Sequence, residues 1–151
     1  MLNEKCIEKS GVITFKEAII AELEGVGFTN YYLQIFDPNC KLERRIDLLL
    51  KVIGMNPAIL GYAYTKEAIK IVFEKSSKTV PFCDVYIDIW KKLDVKKISS
   101  VERAIRHSKE MVLKSLKPEM KALIFGNPNL EKMENNTFVH SLAVFLNSFE
   151  I

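Results

Sequence analysis

The chain has 151 residues, 48% of them hydrophobic and 27% charged, with a formal net charge of +3. That length suits one domain with room for an appended piece, and the apolar content is ample for a core. No apolar run approaches the roughly 20 residues needed to cross a bilayer, which leaves no membrane partner expected.

Residues 1–12 are weakly patterned. Thr14 to Glu24 reads as a strong helix: Thr14 caps, Glu17 completes a Ser/Thr-x-x-Glu box, and Phe15, Ala18, Ile19 and Leu23 make its apolar face. Phe28 to Phe36 is aromatic-rich, a second helix or an extended segment, and Asp37-Pro38-Asn39 is a turn. The cluster of Tyr31, Tyr32 and Phe36 fits core packing better than a base-stacking platform. Residues 1–40 carry three basic and six acidic groups. They suit an oligomerisation or ligand element, or simply more core.

Lys41 to Ile53 is a second strong helix with Leu42, Ile46, Leu49, Leu50 and Ile53 on one face, closed by Gly54. Tyr64 to Phe73 carries the stripe Tyr64, Ala68, Ile69, Val72, and residues 76–81 read as a loop. Asp84 to Val95 is a short helix with Asp84 as candidate N-cap and Val85, Ile89 and Leu93 as its stripe. A turn of three or four residues leads to a longer helix starting at Ser99 or Ser100, with a capping box from Ser99 to Glu102. Pro118 to Phe125 is short and ends at Gly126; Asn135 or Asn136 caps a last helix through Phe138, Leu142, Phe145 and Leu146. Strand alternation is nearly absent. The fold class is all-α, a multi-helix bundle.

The helix from Ser99 has two opposed faces. Val101, Ala104, Ile105, Ser108 and Val112 gather on one; Ser99, Glu102, Arg103, Arg106 and Glu110 gather on the other, with His107 at its edge. A short helix, a turn and a second helix with a polar outer face is the helix-turn-helix plan. Arginine donates a bidentate fork to guanine, and a carboxylate accepts from the cytosine amino group. Lys91, Lys92, Lys96 and Lys97 sit where phosphates would lie. From Asp88 to Lys117 the chain carries nine basic and four acidic residues, which makes that segment +5 and the remainder −2. That is the footprint of a duplex binder. A basic patch for an acidic protein partner would look the same.

Enzyme chemistry finds no support. His107 and His140 lack metal-ligand spacing, and no Gly-rich phosphate loop, nucleophile elbow or HExxH occurs. His140, between Phe138 and Leu142, reads as a core or boundary histidine. Cys6, Cys40 and Cys83 are odd in number, far apart and without CxxC spacing, so packing is their expected role. No metal and no cofactor are expected. The opening Met1-Leu2-Asn3-Glu4-Lys5 lacks a secretory pattern, and a cytoplasmic protein, on the nucleoid when bound, is the expectation.

Three blocks carry a family resemblance. Gly61-Tyr62-Ala63-Tyr64-Thr65-Lys66-Glu67-Ala68-Ile69, Tyr86-Ile87-Asp88-Ile89-Trp90-Lys91-Lys92-Leu93 and Val101-Glu102-Arg103-Ala104-Ile105-Arg106-His107 resemble, in that order and spacing, the DNA-binding effector domain of the stage-zero sporulation response regulators. The resemblance runs from about Ile46 to the C-terminus. It implies a six-helix effector-like domain over 46–151 that binds double-stranded DNA as a homodimer or tandem dimer, regulates transcription and contacts RNA polymerase. Residues 1–45 would be an N-terminal helical extension, too short and too helical for the family's receiver domain. By position, Ser100, Glu102 and Arg103 would face base edges, with the recognition helix over about 99–116 in the major groove. Ser99, Arg106, His107, Lys91, Lys92, Lys96, Lys97, Lys132 and Asn135 would hold phosphates. Where the family motif begins Ser-Arg-Val, this chain has Ser99-Ser100-Val101, so one arginine base reader is missing. The alternative is a protein-interaction module or antagonist that keeps the effector fold and pairs with a full-length regulator.

Overall fold

A computed structural model describes residues 34–75 and 81–147. The helix expected over Thr14 to Glu24, and Tyr31 and Tyr32, lie outside the described residues. Within them are six α-helices and no strands: α1 (Leu42–Val52), α2 (Leu60–Glu74), α3 (Phe82–Lys92), α4 (Ile98–Ser115), α5 (Pro118–Phe125) and α6 (Asn135–Asn147). The domain is all-α.

α2 is the axial element. It touches α1, α3, α4 and α6, and its Tyr64, Ala68, Ile69 and Val72 are buried as the stripe predicts. The helix begins at Leu60, four residues earlier than that stripe suggests, and Gly61 in its first turn lies where α2 crosses α4. A Cβ at Gly61 would overlap Ser108 Oγ and sit 2.5 Å from Ala104 O. Only glycine lets the two backbones approach this closely.

Around α2 the core gathers Ile46, Leu49 and Leu50 of α1, Val85 and Ile89 of α3, Val101, Ile105 and Val112 of α4, and Phe138, Leu142 and Leu146 of α6. Gly126 closes α5 with φ 79°, donating its N–H to Ala122 O. Pro118 opens that helix, where its missing N–H costs no bond.

Three predicted caps are replaced. α3 starts at Phe82 with Pro81 at its N-cap, so Asp84 lies inside the first turn. α4 starts at Ile98 with Lys97 at its N-cap and no side-chain cap bond, so the Ser99–Glu102 box does not form. Asn135 spends its amide on partners outside its own helix. The turn between α3 and α4 is Leu93–Lys97, longer than expected, and contains Asp94 at φ 52°. Aspartate tolerates that left-handed conformation better than most residues. Val95 N–H then donates 3.2 Å to Trp90 O, ending α3 and turning the chain into α4.

Candidate nucleic-acid interface

The interface is built on α4. Val101 and Ile105 are fully buried, and Ser108 and Val112 follow them into the core. That anchoring fixes the rotation of the helix. Ser99, Ser100, Arg103, Arg106, His107 and Glu110 are exposed as a result. Ser100, Arg103 and His107 fall at i, i+3 and i+7, one line along the outer surface. Glu102 lies beside that line, half-exposed, and accepts 3.0 Å from Arg106 Nη1. The carboxylate thus meets solvent already paired with the guanidinium one turn on.

The lysines divide. Lys96 and Lys97, in the turn before α4, are exposed. Lys92 instead donates 2.6 Å to Glu67 of α2. Lys91 shares with it a groove of about 530 Å³ lined also by Glu67, Glu74, Lys75 and Asp88. One of the four lysines expected on phosphates, Lys92, is therefore paired with an acidic group of its own protein, and Lys91 lies in the same groove. Lys132 is exposed and lines a second cavity, about 500 Å³, with Lys109, Lys114 and Glu131.

Two residues depart from the expected pattern. Asn135 is 7% exposed and its Nδ2 donates 3.0 Å to Tyr86 Oη and 3.1 Å to Glu102 O. Its side chain faces inward, toward α3 and α4, which corrects the expectation that it reaches a phosphate. Lys109, counted among the basic residues of the segment but given no role, is 7% exposed. Burial holds its ammonium below the usual lysine range, partly offset by Glu110 and Glu102. The signal was in the sequence: Lys109 follows Val101 and Ile105 at i+8 and i+4, at the border of the apolar stripe. Burial also raises the Tyr86 phenol above its usual range, so it meets Asn135 as a neutral hydroxyl. His140 is half-buried, with Nδ1 2.9 Å from Asn136 O and its ring 6.2 Å from that of Phe82, a boundary histidine.

A helix held by its inner face, preceded by a shorter helix and a tight turn, and carrying two exposed arginines agrees with what a search of protein families returns. The family model described as "Sporulation initiation factor Spo0A C terminal" matches residues 46–146. The chain belongs to this family.

The Spo0A C-terminal domain is the DNA-binding effector domain of a sporulation regulator, and the family is one of transcription factors, not enzymes. The matched stretch begins inside α1 and ends inside α6, so it takes in the whole of α2–α5 and both helices of the helix-turn-helix. No solved structure matches the chain. Among the described residues no helix is long and apolar enough to cross a membrane, and no His, Cys, Asp and Glu cluster suits a metal ion.

Proposed function

We propose that the chain is a sequence-preferring DNA-binding regulator that lays α4 in the major groove. Ser100, Glu102 and Arg103 face base edges there. Ser99, Arg106, His107, Lys96, Lys97 and Lys132 lie against phosphates, and Lys91 and Lys92 join them by swinging out of the groove of mixed charge between α2 and α3. The supporting observation is the exposed line of Ser100, Arg103 and His107 on a helix whose opposite face is locked into the core. The protein acts on the nucleoid from the cytoplasm, pairs on adjacent boxes and touches RNA polymerase there.

Fluorescence anisotropy against a duplex carrying the family's box, with a scrambled duplex and a salt titration, tests this reading. The expected result is preference for the box together with a steep fall of log affinity with log salt, the mark of phosphate neutralisation. No binding at low salt would overturn the reading and favour the protein-interaction module. Because Ser100 stands where the family has arginine, Ser100→Arg is expected to sharpen box preference by roughly 5- to 100-fold, the worth of one bidentate base contact. An unchanged preference in that variant would remove position 100 from the base-reading set.

A further inference from the structure

One amide joins three helices beneath the base-reading surface. Asn135 opens α6, is nine-tenths buried, and directs both hydrogens of Nδ2 away from its own helix, to Tyr86 Oη on α3 and to the backbone carbonyl of Glu102 on α4. A capping asparagine would use its side-chain oxygen, accepting from backbone N–H groups one turn on. Here Oδ1 is buried and has no partner. The side chain is therefore held by its donors.

The partners are themselves fixed. Phe82 packs edge-on against Tyr86, ring centroids 4.9 Å apart, and its ring also lies near His140 of α6. The contact on α4 falls on the carbonyl of the residue whose side chain pairs with Arg106, one position before Arg103. A shift of this carbonyl moves Glu102 and Arg103 together.

We infer that Asn135 is a positioning residue for DNA reading. It pins the second turn of α4 to α3 and α6, and so sets the rotation and advance of the recognition helix on which Glu102 and Arg103 discriminate between bases. It touches no DNA. This rests on the DNA-binding reading above, and extends it from the surface to the joint that aims the surface.

Asn135→Ala removes both donors, and Tyr86→Phe removes only the α3 partner. Both are measured at a temperature where circular dichroism shows them fully folded. The ratio of box to scrambled affinity is expected to fall about tenfold in Asn135→Ala, the scale of one lost base contact. A smaller fall is expected in Tyr86→Phe, with the salt slope unchanged in both. A variant that melts earlier yet keeps the full ratio would show a merely structural amide and overturn the inference. Equal weakening on both duplexes with a shallower salt slope would mark a phosphate contact and overturn it as well.

A second readout does not use DNA. Amide hydrogen exchange over residues 102–107 is expected to quicken in Asn135→Ala while the α2 amides keep their protection. If the wild-type protein shows no box preference, the DNA reading fails on its own account, and exchange still decides whether Asn135 pins α4; unchanged exchange there overturns the pin. Should Asn135→Ala not fold, Tyr86→Phe carries both readouts.

Discussion

Lys109 illustrates how one side chain can oppose folding inside a surface built for charge. Its stem is packed away, its ammonium is partly desolvated, and the neighbouring Arg106 adds repulsion. The folded-state pKa is lowered relative to the unfolded chain, so the unfolded state binds more protons as pH approaches the ordinary lysine range. Stability therefore rises with pH across the window from the lowered folded value up to about 10.5. Lys109→Met keeps the stem and drops the charge. It is expected to raise the melting temperature of the protein slightly at pH 7. Thermal melts at pH 7 and pH 10 check this: the gain shrinks at the higher pH, and a gain independent of pH would mean that packing, not charge, sets it.

Between elements the decisive contact is the crossing of α2 over α4 at Gly61. Gly61→Ala is expected to cost about 1–3 kcal/mol by overpacking, and to weaken box preference because α4 must move outward. Ser108→Ala in the same chain recovers part of the loss, since the hydroxyl is removed while Ala104 O stays in place. Denaturation midpoints of the single and double variants check the pair. The helices themselves were legible because apolar spacing reports which face is inward, and Val101, Ile105, Ala68, Ile69 and Leu142 all lie where that spacing puts them. The caps were not. Asp84, Ser99 and Asn135 each have a cap residue's chemistry, but tertiary packing starts α3 and α4 earlier and turns Asn135 inward. Likewise Lys92 reads as a free cation until α2 folds alongside and presents Glu67. Local patterns record the period of an element; partners far along the chain decide what its polar groups meet.

Across the whole molecule, the matched stretch is not where the packing stops. Ile35 and Phe36 are fully buried, and Phe36 meets Phe145 edge-on with centroids 5.4 Å apart. Arg45, one residue before the matched stretch, is 3% exposed. It donates 2.8 Å to Ile35 O from Nε and 2.6 Å to Leu146 O from Nη2, and its guanidinium lies 5.5 Å over the Phe73 ring. One side chain thus ties the segment before α1 to α2 and to the end of α6. A lysine has no planar fork to bridge two carbonyls. Arg45→Lys is expected to cost about 2–3 kcal/mol, read as a lowered midpoint in urea, with box preference retained in the folded protein because the latch lies away from Glu102. A protein starting at residue 46 is expected to be less stable still, lacking Ile35 and Phe36 too. Residues 34–45 thus pack with the matched stretch as part of the same core.

The pairing of Glu102 with Arg106 has a kinetic consequence. A surface that offered only cations to a duplex would hold any sequence by its phosphates and leave slowly. Here a carboxylate stands among the arginines, repelling backbone phosphates wherever no cytosine amino group is there to meet it. On the proposed reading, dwell times on unrelated sequence are expected to be shortened more than those on a matching site, and single-molecule residence times of Glu102→Gln against the unaltered protein check this. A protein of that kind would cover more genome per unit time, and its occupancy of a target site would be governed by how fast it abandons the wrong places.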